Sequence, residues 1–244
     1  MAPQSRALTV LITRPEGQAH RFAAQLHERF GAAVVSIVTP LLAPAFLEAS
    51  LPGGRFGAVV FTSETGVLAA QRVGAAGRDL PKRAFCVGDH TAQAASLAGF
   101  EAISADGDAG DLLDLLRRHP DDAPFLHLRG RDARGSIVEQ LQQSGIAAAE
   151  TVAYEQRPQF LTPQAVAALG APGPVCVPLF SPRTAQIFAK ALGGLNIRAD
   201  LHLVLMSDAV AQQTKGIVRA DRRIAARPTA ACMLDALADL IFNA

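Results

Sequence analysis

The feature that most restricts this chain's fold is a set of matching segments that recur in a different order. Arg14 follows an apolar run, with Leu26 twelve residues on and Gly31 after it. Arg129 follows another, with Leu141 twelve residues on and Gly145 after it. Phe61-Thr62-Ser63 resembles Leu179-Phe180-Ser181, and Asp89-His90-Thr91-Ala92-Gln93 resembles Asp208-Ala209-Val210-Ala211-Gln212. Ser63 and Asp89 are 26 residues apart, and Ser181 and Asp208 are 27 apart. In the middle of the chain the arginine segment comes last. In the other copy it comes first, at the N-terminus, and its companions lie near the C-terminus. Internal repetition fixes architecture, and the simplest arrangement inserts one lobe into another. Residues 39–158 form a continuous lobe, and 1–38 plus 159–244 form a discontinuous one, each about 120 residues, an ordinary domain size. The chain then crosses between lobes near 36–44 and 150–158. Two adjacent crossings can pair as strands, which predicts a two-stranded β-ladder acting as a hinge.

Within each copy, apolar runs of four to six residues alternate with segments of helical period, the pattern of a parallel sheet covered by helices. The fold class is therefore α/β, with two similar flavodoxin-like or Rossmann-like lobes. Strands are expected at 8–12, 34–38, 58–61, 84–87, 101–103, 125–128, 147–154, 175–180, 201–205 and 223–225. Helices are expected from Pro15 to about Phe30, from 64 to 73, from 91 to 98, at 111–119, from after Asp132 to 144, at 162–169, from 182 to 192, from 208 to 216, and at 230–242. Pro40 and Pro44 suit an extended edge segment or a linker.

The net charge is +1 and only 18% of residues are charged, so bulk electrostatic binding of nucleic acid or a membrane surface is not expected. Any anion recognition must be local. Half of the residues are hydrophobic, enough for a sizeable core. Cys86, Cys176 and Cys232 are dispersed and odd in number, which fits a reducing cytoplasm better than a disulfide framework or a zinc site. The apolar run 7–12 reads as a first strand rather than a signal sequence. No stretch reaches membrane-spanning length. A soluble cytoplasmic monomer is expected.

In open parallel sheets, ligands bind beyond the carboxyl ends of the strands. The loops there are 13–15, 62–66, 88–91, 129–134, 181–184 and 207–208. Nearly all carry Ser, Thr or Asp, which are ordinary helix caps. Together they also present many backbone N–H groups, which attract anions. Arg14, Arg129, Arg131, Arg134 and Arg183 stand on or just after these loops, and guanidinium geometry suits carboxylates. A dinucleotide fingerprint, a P-loop, a nucleophile elbow and metal-spaced histidines are all missing from the sequence. His127 and His202 lie in apolar strands, where a structural role is expected. Tyr154 is the one tyrosine in the chain. Near pKa ~10 a phenol stays protonated and can donate to a leaving oxygen.

Leu-Ile-Thr-Arg-Pro (11–15), Val-Val-Phe-Thr-Ser (59–63), Val-Gly-Asp-His-Thr-Ala (87–92), Leu-Arg-Gly-Arg-Asp-Ala-Arg (128–134), Val-Ala-Tyr (152–154) and Phe-Ser-Pro (180–182) occur in this order. As an ordered set over the whole chain they resemble the uroporphyrinogen-III synthase family. The resemblance implies two α/β lobes joined by a β-ladder. It implies conversion of the linear tetrapyrrole hydroxymethylbilane to uroporphyrinogen III with loss of water, without cofactor or metal. A pyrrole nitrogen helps the terminal hydroxyl to leave. The resulting azafulvene is attacked at the substituted carbon of ring D, and the spiro intermediate fragments and recloses with that ring inverted. The eight carboxylates of the substrate suit helix N-termini and arginines. Carried over residue by residue, Tyr154 matches the tyrosine proposed to assist hydroxide departure. Thr62, Ser63, Thr91, Arg129 and Arg131 are expected to bind substrate from the inserted lobe, and Arg14, Ser181 and Ser207 from the outer one. Ala209 stands where some members have threonine, which leaves Ser207 as the nearby hydroxyl, and Thr65 replaces a common asparagine. The substrate is the expected partner, and transient contact with the enzyme supplying it is left open. A non-catalytic binder or sensor of an acidic metabolite is the competing reading. A receiver-like pair lacks the acidic cluster and strand-end lysine that it needs.

Overall fold

The computed structural model describes residues 7–48, 50–77, 79–132 and 135–242. The strands are β1 (Leu8–Ile12), β2 (Val34–Val38), β3 (Leu42–Phe46), β4 (Ala58–Phe61), β5 (Arg83–Cys86), β6 (Glu101–Ser104), β7 (Phe125–Gly130), β8 (Ala148–Pro158), β9 (Pro174–Leu179), β10 (Asp200–Leu205) and β11 (Ala220–Ile224). The helices are α1 (Glu16–Phe30), α2 (Glu64–Ala75), α3 (Asp89–Leu97), α4 (Ala109–Arg117), α5 (Ile137–Gln143), α6 (Pro163–Gly170), α7 (Pro182–Leu192), α8 (Asp208–Gln212) and α9 (Ala230–Phe242). The chain divides into two compact units, Met1–Ala43 with Pro158–Ala244, and Pro44–Arg157. The protein is a mixed α/β fold with two parallel-dominated sheets.

The first unit is built on the five-stranded order β11-β10-β9-β1-β2. The pairs β1–β2, β1–β9, β9–β10 and β10–β11 are all parallel. One face packs Leu11, Leu179, Leu203 and Phe188, and the other packs Val10, Phe22, Leu26, Met233 and Leu237. Alternate strand residues thus supply opposite cores, which is why these strands are apolar without interruption.

The six-stranded sheet has the order β3-β8-β7-β4-β5-β6. Its pairs β7–β8, β4–β7, β4–β5 and β5–β6 are parallel. All four residues of β4 are buried. Counted from β1 in one sheet and from β7 in the other, both five-strand sets follow one permuted order, 2-1-3-4-5. The arginine-bearing strands β1 and β7 occupy the same place in each. Edge strand β3 carries Pro44, which needs no ladder donor there. The Leu47 N–H bonds to the Ala153 carbonyl at 2.9 Å and the Gln159 N–H to the Leu41 carbonyl at 3.0 Å, so β3 and β8 run antiparallel.

Local chemistry explains where the element bounds differ from the sequence reading. Helix α4 starts at Ala109 because Asp108 caps it, with a reciprocal bond from the Asp108 N–H to the Asp111 carboxylate. Helix α5 begins only at Ile137, beyond Gly135 at φ 93°. Helix α8 stops at Gln212 rather than continuing to 216. Arg222 takes over beyond it, donating to the carbonyls of Thr214 at 2.7 Å, Ile217 at 2.5 Å and Ala220 at 2.8 Å. Its strand β11 accordingly starts at Ala220, three residues before the expected position.

Among the described residues, no helix is long and apolar enough to cross a membrane. The three cysteines are buried and unlinked. Burial pushes the Cys86 thiol up to about 12.

Candidate functional site

In the unit Pro44–Arg157 the strand order reverses between β7 and β4, and several expected residues meet at the carboxyl ends of these strands. Ser63 follows β4 and caps α2, its hydroxyl accepting from the Gly66 N–H at 3.3 Å. The Tyr154 hydroxyl lies 2.7 Å from the Ser63 Oγ. The sequence reading expects the Tyr154 hydroxyl to assist a leaving group, and the side chain that carries it is largely enclosed. It is only 7% exposed and packs with Phe61, Val67 and Leu128.

The cause is a register shift between Arg129 and Gly130. Arg129 pairs with Val152 but Gly130 pairs with Tyr154, so β8 carries one extra residue, Ala153. Such a bulge re-aims the following side chain. A Cβ on Gly130 would sit 2.7 Å from the ring carbon Cε2 of Tyr154, so the absent side chain makes room for the phenol. The Arg131 N–H bonds to the Tyr154 carbonyl at 2.8 Å and fixes the backbone beyond the bulge.

The two arginines of this loop that are expected to bind substrate have carboxylate partners within the protein. Arg129 is 2.8 Å from Glu150 on β8. Arg131 pairs with Glu155, which also meets Arg157 at 2.7 Å. The hydrogen bond from Arg157, with the charges of both arginines, holds the Glu155 carboxyl below its ordinary range. The pairings follow from β8 lying beside β7, with Glu150 opposite His127. Arg134 lies outside the described residues. Thr91, buried in the first turn of α3, is 6% exposed.

Thr62 is half-buried, and its hydroxyl lies 3.3 Å from the Nε2 of His127. His127 is 5% exposed. Burial is the main cause that lowers its pKa to about 4; Arg129 adds to the shift and Glu150 opposes it. His127 is thus neutral near pH 7. The sequence reading expected a hydrogen-bonded structural histidine here, and its apolar neighbours gave no sign of a Thr62 partner.

In the other unit the strand order reverses between β1 and β9. Arg14 follows β1, bonds to the Gln18 amide oxygen at 2.9 and 3.2 Å, and lies 4.1 Å over the Phe180 ring. Burial, with the charge of Arg21, lowers its pKa. Ser181 follows β9 and caps α7, accepting from the Thr184 N–H at 3.2 Å. Its Oγ is also 2.9 Å from the Thr184 hydroxyl. Ser207 precedes α8 without a side-chain cap bond.

A groove of about 400 Å³ lies between Phe46–Glu48, Ala153 and the later turns of α2, and none of the expected site residues lines it. Among the described residues, no group of three or more His, Cys, Asp or Glu side chains could hold a metal ion.

These observations define a class: an α/β protein with two like-ordered sheets whose polar groups gather where the strand order reverses. The model of uroporphyrinogen-III synthase HemD (HEM4) matches residues 20–235, and the chain belongs to the uroporphyrinogen-III synthase family. The match spans every expected site residue except Arg14. No curated protein matches the sequence. The crystal structure of uroporphyrinogen-III synthetase from Helicobacter pylori is similar to this one, with a TM-score of 0.61 at 19% identity, covering 96% of this chain and 100% of that one. At that identity the likeness concerns the fold. The Thermus thermophilus uroporphyrinogen III synthase gives a TM-score of 0.36 at 15% identity, covering 95% of this chain and 98% of that one.

Proposed function

We propose that this chain performs the reaction of its family, a lyase step that cyclises hydroxymethylbilane to uroporphyrinogen III with loss of water and inversion of ring D. Family membership over residues 20–235 is the observation that carries this reading. In it, the Ser63 O–H donates to the Tyr154 oxygen, and the Tyr154 O–H donates to the departing hydroxyl. Their 2.7 Å contact permits that direction. A pyrrole nitrogen lone pair expels the hydroxide, the azafulvene cation is attacked at the substituted carbon of ring D, and the spiro intermediate fragments and recloses.

The protein's main task is placement. A bilane that loses its hydroxyl unaided closes at the unhindered carbon. Holding it curled makes the hindered attack effectively intramolecular, an effect of several kcal/mol in well-oriented systems, about 7–11 at most. In this reading Arg14, Ser181 and Ser207 of one unit, and Thr62, Ser63, Thr91, Arg129 and Arg131 of the other, hold the carboxylates. Arg129 and Arg131 would exchange Glu150 and Glu155 for substrate carboxylates. The two units act as similar lobes, and the β3–β8 pair is their hinge.

Turnover separates this reading from a binder of acidic metabolites. Protein at one-hundredth of the bilane concentration should convert the whole pool faster than spontaneous closure. Consumption that stops at one equivalent, or that proceeds at the spontaneous rate, would favour the binder.

A further inference from the structure

We propose that His127 is a positioning residue that sets the polarity of Thr62: its Nε2–H donates to the Thr62 hydroxyl oxygen, which leaves the Thr62 O–H to donate to a substrate carboxylate. The inference rests on the bilane reading above. His127 and Thr62 lie on the neighbouring strand β7 and just past the end of β4, with Val60 opposite His127 in register. Their side chains approach to 3.3 Å, a contact whose direction depends on the imidazole tautomer.

The other ring nitrogen decides that tautomer. Nδ1 is buried, and no described group lies within hydrogen-bond reach of it. The charges that act on the ring, Glu150 and Arg129, are joined to each other at 2.8 Å. A buried N–H without an acceptor is rarer than a buried acceptor without a donor. The proton of the neutral ring therefore sits on Nε2, facing Thr62.

The consequence is chemical. With the proton on Nδ1, Thr62 would have to donate to the ring and would show a carboxylate only lone pairs. With the proton on Nε2, the threonine oxygen is satisfied from behind and its hydrogen is available at the half-buried strand end. Among its described residues the other unit has no counterpart. Phe180 takes the place of Thr62 in the repeat, and Arg14 stacks on its ring at 4.1 Å.

Nitrogen-15 spectra of the imidazole-labelled full chain read the tautomer without any assay. We expect a neutral Nε2–H ring for His127 at pH 7. A proton on Nδ1, or a charged ring, overturns the proposal. Kinetics test the consequence. T62V and H127F should each raise KM about tenfold, the scale of one hydrogen bond to a charged group, and the double variant should be no worse than T62V alone. H127Q, whose amide nitrogen can donate in place of Nε2, should restore KM to within about twofold. Additive losses, or an H127Q as impaired as H127F, would contradict the assignment. Failure of the wild type to turn over bilane would overturn the parent reading instead, and the spectrum would still decide the tautomer.

Discussion

At the scale of single residues, the proposed chemistry depends on the Tyr154 phenol and the space made for it. Tyr154→Phe removes the 2.7 Å contact with Ser63. It should cost about 1 kcal/mol of stability but lower kcat by roughly 100-fold, the scale of a lost proton donor. Gly130→Ala reaches the same phenol from behind, since its Cβ would lie 2.7 Å from the ring. It should lower kcat comparably while keeping the hydroxyl. Unfolding of Tyr154→Phe at assay temperature would mean a packing role instead of a chemical one. His127 gives a pH test. Its pKa is about 4 when folded against an ordinary 6.5. Above 6.5 the ring is neutral in both states and its contribution is full. As pH falls the unfolded chain takes up the proton first, so stability declines from about pH 6.5 to 4, by roughly 3 kcal/mol in total. Denaturant titrations should show this acid-side slope in the wild type and a flatter one in H127Q; equal slopes would contradict it. The sequence made Tyr154 visible as a candidate but hid its surroundings. The extra residue Ala153 leaves no mark in the alternation of β8, and the Arg129–Glu150 and Arg131–Glu155 pairs depend on that strand's register.

At the scale of elements, the strand-end loops serve as helix caps, and structure separates those whose side chains cap from those that do not. Ser181 accepts from Thr184 at the start of α7, so Ser181→Ala should cost about 1 kcal/mol. The melting midpoint would fall by about 2–4 °C. Ser207 makes no such bond, so Ser207→Ala should leave melting unchanged. Equal losses in scanning calorimetry would contradict the distinction, and an activity loss in Ser207→Ala without a change in melting would point to substrate contact. The strands were legible because buried parallel strands are short and apolar, as with β4 and β9. The end of α8 was not. Its continuation to 216 is set aside by Arg222, ten residues past the helix end, which satisfies the Thr214 carbonyl inside the expected turn and those of Ile217 and Ala220 beyond it.

At the scale of the molecule, one permuted strand order appears in both sheets, and the arginine-led strands β1 and β7 hold equivalent places. The repeat in the sequence carried that correspondence, because matched loops follow matched strands. What differs between the units is the filling of the strand ends: an arginine stacked on Phe180 in one, and a Thr62–His127, Ser63–Tyr154 cluster in the other. In the proposed reaction both serve one task, forcing closure at the hindered carbon of the terminal ring. The most direct measurement is the isomer composition of the porphyrinogen formed when the protein meets freshly generated hydroxymethylbilane, resolved after oxidation by chromatography. Type III should dominate, with type I falling as protein is added. A product that stays type I at every protein concentration would contradict it.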